Sequence, residues 1–178
     1  GGGVGAGGSG WGRRLFGPVW QGAEKSQRPI AVKAGSQYRT GPGSVGWPSY
    51  RYEYYMAEAQ AFQAQVLSLI YEGVFGKFPG LKVVLMESGV TWLPAFLWRL
   101  AKFWRGVRAD VPWVDRSPAD IVRDHVRLTL QPFDGPADPP EGSRPRDHLR
   151  HARLPPYPAS FPHCPPYSAT TYPADTAG

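Results

Sequence analysis

Gly73-Val74-Phe75-Gly76-Lys77-Phe78-Pro79-Gly80-Leu81-Lys82-Val83-Val84-Leu85-Met86-Glu87-Ser88-Gly89-Val90-Thr91-Trp92-Leu93-Pro94 is the stretch whose reading decides the fold. It reads as a helix end, a tight turn, a buried strand, a loop and a new helix. Gly73 and Gly76 suit a helix C-terminus, where a left-handed residue is often needed. Pro79-Gly80 punctuates a turn. Residues 82–86 form a short, nearly all-apolar run, the pattern of a strand covered on both faces in a parallel α/β sheet. Glu87 follows where that strand ends. A carboxylate at the C-terminal end of a buried parallel strand stands where parallel α/β enzymes place their chemistry. The same position suits a residue that caps the next helix or bonds loop amides, and spacing alone leaves both roles open.

Outward from this stretch the chain alternates. Upstream, residues 56–71 carry Ala59, Phe62, Val66 and Ile70 at helical spacing, with glutamines elsewhere on the surface. Before them, Pro29-Ile30-Ala31-Val32 reads as a second buried strand, with Lys33 at its end as Glu87 is at the other. Residues 19–27 read as a short helix with Pro18 in its first turn. A long loop runs from Ala34 to Ser49, and Tyr50, Tyr52, Tyr54 and Tyr55 crowd its end. Core packing is the expected role for at least two of these rings. Downstream, Thr91 can cap a helix with Pro94 in its first turn, and Leu93, Phe96, Leu97, Leu100, Phe103, Trp104 and Val107 form its apolar stripe. Ser117-Pro118 opens a short helix, and residues 126–131 read as a third strand. Such alternation argues for parallel strands joined by crossovers.

Composition bounds the rest. A chain of 178 residues is expected to hold one domain. The net charge of +6 permits acidic partners. Its basic residues are scattered, and Arg99, Lys102, Arg105 and Arg108 read as a solvated helix face, so nucleic acid is not an expected partner. The one cysteine, Cys164, excludes an internal disulfide. No apolar run approaches the roughly 20 residues needed to span a membrane. The glycine-rich N-terminus has no apolar segment of a signal peptide, and a cytoplasmic setting is expected.

Residues 1–14 read as a Gly-rich flexible tail, 15–134 as the folded unit, and 135–178 as a Pro-rich tail of low order. Both tails offer too little apolar surface to offset the entropy of ordering. The spacing Gly3-x-Gly5-x-x-Gly8 matches a dinucleotide fingerprint. No strand is expected before Gly3 and no helix opens after Gly8, so nucleotide binding is not expected.

Several blocks stand together in one order: Phe16-Gly17-Pro18-Val19-Trp20, then Pro29 through Gly35, Gly46-Trp47-Pro48-Ser49-Tyr50, and Gln63 through Ile70. Gly73-Val74-Phe75, Phe78-Pro79-x-Leu81-Lys82, Glu87-x-Gly89-x-x-Trp92-Leu93-Pro94 and Thr129-Leu130-Gln131-Pro132 complete the set. Over roughly residues 15–132 this resembles the amidohydrolase-related (amidohydrolase 2) family, metal-dependent barrel enzymes that include aminocarboxymuconate-semialdehyde decarboxylase.

The resemblance implies an α/β fold, a partial (β/α)8 TIM barrel comprising its later half. It implies hydrolysis or decarboxylation of a small carboxylate or amide-like substrate, with a divalent metal, zinc, at the strand ends. The family's ligands are an early His-x-His, a histidine ending the fifth strand and a late aspartate. This chain has no His-x-His, Lys33 stands at the strand-ending histidine, and Ser160 stands at the aspartate. No metal ligand is therefore assigned, and tight metal binding is not expected. Glu87 is the catalytic candidate, and Trp92 and Arg99 are the substrate-binding candidates, although a surface role fits Arg99 equally.

The composition of both ends predicts a fragment or a frame-shifted reading of a longer gene, inactive on its own. Half a barrel leaves strand edges open, which predicts a homo-oligomer or a weakly stable monomer. Two other classes stand beside the enzyme: a non-catalytic barrel remnant, and a basic binding protein whose Pro155-Pro156-Tyr157-Pro158 suits an aromatic groove.

Overall fold

The computed structural model describes residues 2–3, 9–33, 41–43 and 45–129. Ser160, the Pro-rich tail, Cys164 and most of the Gly3-to-Gly8 spacing lie outside these residues. The described chain builds a four-stranded sheet in the order β1-β2-β3-β4, every pair parallel. The strands are β1 (Gly2–Gly3), β2 (Ile30–Lys33), β3 (Val83–Met86) and β4 (Val126–Leu128). Helices α1 (Gly17–Lys25), α2 (Arg51–Tyr71), the single-turn α3 (Val74–Lys77), α4 (Trp92–Val107) and α5 (Pro118–His125) occur between strands.

The local signals work as the sequence predicts at most boundaries. Pro18 lies in the first turn of α1 and Pro118 in that of α5. After α1 the backbone turns left-handed at Gln27, φ 52°. Gly73 is left-handed at φ 74° and separates α2 from α3. A Cβ there would also come within 2.8 Å of the Trp113 ring, so this position requires glycine twice over. α2 begins at Arg51, ahead of the expected residue 56, because Glu53 accepts hydrogen bonds from the N–H groups of Ser49 and Tyr50 and secures the first turn. Thr91 occupies the cap position of α4 but makes no capping side-chain bond.

Strand register sorts the side chains into two faces. Val32, Val83, Leu85, Val126 and Leu128 are buried, and they form one cluster with Trp20 of α1, Phe62, Val66 and Ile70 of α2, Leu93 and Leu97 of α4, and Val122 of α5. Ala31, Val84, Met86 and Arg127 alternate with them and are half-buried. The expectation of a strand covered on both faces therefore holds for one face only. The described chain supplies helices to the first face and no second layer to the other.

Helix length explains two further corrections. A 16-residue helix runs about 24 Å, whereas a four-residue strand runs about 13 Å. α4 outruns the sheet, so its buried stripe stops at Leu100, while Phe103 and Val107 are exposed. α2 overhangs similarly at its start. Tyr50, Tyr52 and Tyr55 are exposed and Tyr54 is half-buried, so none of these rings enters the core.

Within the stretch expected to be a flexible tail, Trp11 and Gly12 pack onto the fold. Trp11 is buried, stacked on Phe16 with ring centroids 5.3 Å apart, and its backbone oxygen accepts the Trp20 indole N–H. The N–H groups of Trp11 and Gly12 donate to Gln65 and Ser68 of α2. A large indole with neighbours on two helices buries enough apolar surface to hold this segment, which composition alone obscured. A strand does include Gly3: Gly2 and Gly3 stand level with Val32 and Lys33.

Candidate active site at the strand ends

Parallel strands in step bring their C-terminal ends to one level. Lys33 stands beside Met86, and Leu85 beside Leu128, so Thr129 comes level with Met86 in turn. The chain leaves β3 through Glu87, whose φ of 60° is left-handed. Few non-glycine residues adopt that conformation without surroundings that impose it. Here the Glu87 N–H donates to the Thr129 hydroxyl at 3.0 Å, and the Thr129 N–H donates to the Leu85 carbonyl at 2.9 Å. The Glu87 carboxylate lies 3.1 Å from the Lys33 ammonium, at the end of the neighbouring strand. The side chains are 57% and 48% exposed, so the pair faces solvent.

A second carboxyl lies within reach of the Glu87 charge. Glu58 of α2 is half-buried and hydrogen-bonded to Tyr54, one turn earlier. Burial pushes the Glu58 carboxyl above its usual range and the Glu87 charge adds to the rise, against the Tyr54 hydrogen bond, which lowers it. Tyr54 is raised too, first by burial and then by Glu58. Two carboxyl groups in unlike environments are the arrangement from which acid and base roles separate.

The other sequence candidates have different surroundings. Trp92, the first residue of α4, donates its indole N–H to the Ser88 carbonyl at 2.9 Å and packs edge-on against Phe96. Its polar atom thus holds the turn after Glu87. Arg99 is exposed, with its guanidinium 5.4 Å from the centre of the Phe103 ring, one turn farther along α4. The structure brings Lys33 and Glu87 together but does not bring Arg99 to them. Lys102, Arg105 and Arg108 are exposed as expected. Glu58 and Thr129 were missed by the sequence reading. Thr129 had a signal, since it is polar at a strand's end as Glu87 is; Glu58 reaches the site only through the placement of α2.

His125 occupies the opposite end of the sheet. Its Nδ1 lies 2.8 Å from the Leu81 carbonyl, its Nε2 lies 3.2 Å from Arg116, and its ring stacks on Phe75. Nδ1 carries the proton and Nε2 accepts, so the ring is neutral. Burial holds its pKa below the usual range, and the Lys82 and Arg116 charges add to this. A groove of about 510 Å³ opens beside it.

Among the described residues no three His, Cys, Asp or Glu side chains converge as a metal cage would require. At the strand-ending position expected to hold a metal-binding histidine, Lys33 presents an ammonium, which has donors and no lone pair. The described residues do not fit a metal.

A family profile described as Amidohydrolase matches residues 4–153. This chain belongs to the amidohydrolase family. The amidohydrolase match runs past residues 15–132 on both sides, so the likeness extends into the Gly-rich head and the Pro-rich stretch. An amidohydrolase from Mycobacterium avium subsp. paratuberculosis K-10 shares 21% identity, with a TM-score of 0.56 over 67% of this chain and 30% of that one. The 5-carboxyvanillate decarboxylase LigW from Sphingomonas paucimobilis shares 19% identity, with a TM-score of 0.51 over 82% of this chain and 41% of that one. These likenesses show the amidohydrolase fold, consistent with part of a TIM barrel, and the chain spans less than half the length of either structure. A dihydroxybenzoic acid decarboxylase from Polaromonas sp. JS666, solved with bound manganese, matches more loosely at a TM-score of 0.49. No curated protein matches the sequence. No helix among the described residues is long and apolar enough to cross a membrane.

Proposed function

We propose that this chain carries the Glu87 side of a site for hydrolysis or decarboxylation of a small carboxylate or amide-like molecule, and that by itself it performs neither reaction. The reading rests on the Lys33–Glu87 pair at 3.1 Å, at the strand ends where parallel-sheet enzymes react. In the family a divalent metal, zinc by expectation, supplies hydroxide or polarises the substrate. The described residues here are not built to hold it. What they supply is proton chemistry: Glu87 is an exposed carboxylate placed to take a proton from a bound acid or water, and Glu58, its carboxyl raised above the usual range chiefly by burial, is the second carboxyl that feels its charge.

Inactivity follows from the incomplete ligand set, of which the charge at Lys33 is one part and the absence of a His-x-His pair another. A cation entering beside Glu87 meets the ammonium and finds no second ligand fixed to the sheet, so water bound to it keeps a pKa too high for hydroxide at neutral pH. The test is elemental analysis of the purified chain after dialysis against zinc or manganese, followed by turnover assays with aryl carboxylates and amides. The expected result is well below one ion per chain and no turnover. The double variant Lys33→His with Ser160→Asp is expected to remain inactive as well. Micromolar zinc binding by the unmodified chain, with hydrolysis abolished by Glu87→Gln, would overturn the reading.

A further inference from the structure

We propose that the groove beside His125, at the end of the sheet away from Lys33 and Glu87, binds a phosphate monoester that carries an aromatic ring. Lys82, Arg116 and Arg127 hold the phosphate, and the ring lies on Trp113. The proposal is independent of the strand-end reading, since neither Lys33 nor Glu87 lines this groove.

Size and place are the first argument. The groove has a volume of about 510 Å³, within the roughly 300–1,000 Å³ of sites that take small organic ligands. Its walls come from α3, the residues just before α5, α5 itself and the starts of β3 and β4. Secondary structure therefore fixes most of the lining.

Charge is the second argument. The Lys82 ammonium donates to the Asp124 carbonyl at 2.9 Å, and Arg127 donates to the carbonyls of Arg123 and Val126 at 2.6 and 2.9 Å. These bonds hold both cations at the C-terminal end of α5 through neutral oxygens, so their charges stay uncancelled. Arg116 is bonded to the Asp124 carboxylate and to His125 Nε2, which adds no charge. The lining also holds Asp115, which is exposed. Three cations against two carboxylates leave the groove positive. Each of the three cations retains N–H donors that these bonds do not use. A phosphate offers three acceptor oxygens to separate cations, where a carboxylate offers two.

The indole is the third argument. Trp113 is 55% exposed, yet it is held at its edge. Its N–H donates to the Tyr71 carbonyl at 2.7 Å, and its ring lies so close to Gly73 that a Cβ there would come within 2.8 Å. A large ring fixed in this way, with over half its surface open, is a stacking plane already in position, so little ordering is left for binding to impose. The volume beside it exceeds the needs of a bare phosphate, which is why the ligand carries a ring.

The experiment titrates the full chain with phenyl phosphate, inorganic phosphate, benzoate and phenol in excess chelator at constant ionic strength. The Trp113 indole and His125 ring resonances are followed by NMR. Phenyl phosphate is expected to saturate both shifts at millimolar concentration or below, and benzoate and phenol to bind about tenfold more weakly or worse. Lys82→Met and Arg127→Met are each expected to weaken phenyl phosphate by about tenfold, the loss of one charge-assisted hydrogen bond, and Lys82→Arg to retain it. Trp113→Ala is expected to weaken phenyl phosphate about two- to tenfold and to leave inorganic phosphate unchanged. Lys33→Met, at the other end of the sheet, is expected to change nothing. Circular dichroism confirms that each variant is folded; where one is not, a salt titration of the unmodified chain replaces it, with affinity expected to fall as salt rises. Cations that serve only to cap α5 predict no saturable shift. That result, equal affinity for benzoate, an affinity indifferent to Lys82→Met or to salt, or binding lost in Lys33→Met would each overturn the proposal.

Discussion

Glu87 is the residue at which local preference and site geometry conflict, and that conflict can be measured. Glu87→Gly removes the left-handed strain and loses only a half-exposed ion pair. It is expected to stabilise the chain by about 1 kcal/mol, read as a higher urea midpoint at unchanged slope. Glu87→Ala keeps the strain and loses the pair, so no gain is expected from it. His125 gives a second measurable effect. Its folded-state pKa lies below the unfolded value, so the unfolded chain binds the extra proton more readily. The stability that neutral His125 contributes is complete above about pH 6.5 and is lost as the pH falls through the lower, folded-state value. The charges facing the ring are Lys82, Arg116 and Asp124, and Asp124, itself lowered chiefly by its hydrogen bond to Arg116, adds a loss of the same sign at more acidic pH. His125→Gln can still donate to Leu81 and accept from Arg116, and it is expected to flatten the thermal-melting profile near pH 6. An unchanged slope would show that the ring does not titrate on unfolding. Glu87 and Lys33 were legible because each is a polar residue ending an apolar run. Their contact was not, because register between strands is set by packing rather than by neighbours in the chain.

Elements were legible where punctuation and periodicity agreed, as for α1 with Pro18, β3 between Pro79-Gly80 and Glu87, and α5 with Pro118. They were misjudged where length decided. Periodicity on α4 continues to Val107, but burial needs something underneath, and the short strands end first. This yields a paired prediction on one helix. Leu97→Ala is expected to cost about 2–5 kcal/mol as a cavity in the core, whereas exposed Phe103→Ala costs under about 1 kcal/mol; calorimetric melting separates them. Gly73→Ala tests the joint between α2 and α3. It meets both the left-handed backbone and the Trp113 ring, and a loss of about 1–3 kcal/mol in urea unfolding is expected.

At the scale of the molecule, the described residues cover the sheet on one face and leave it half-open on the other, where Ala31, Val84 and Met86 lie. Among the described strands, β4 pairs with β3 alone and presents its other edge. An open edge and a half-buried apolar face both favour pairing with a further surface. The chain is expected to self-associate, giving a sedimentation coefficient that rises with concentration. A concentration-independent monomer with a high melting temperature would contradict this. The parallel architecture could be read from alternation, because crossovers leave long helices between strands. The contribution of the N-terminal segment could not, because glycine-rich composition suggests disorder unless the single indole at Trp11 is given its full weight.

The bond from the Glu87 amide to the Thr129 hydroxyl makes the outermost strand a latch. If β4 peels away, the latch opens, the corner at residue 87 is no longer held, and its carboxylate swings off Lys33. Fraying at one margin is thereby transmitted to the charged centre, and it draws Val126 and Leu128 out of the packed layer as it does so. Whatever clamps β4 in place also sets how long the Lys33–Glu87 pair stays closed, so the edge governs the timing of the mouth.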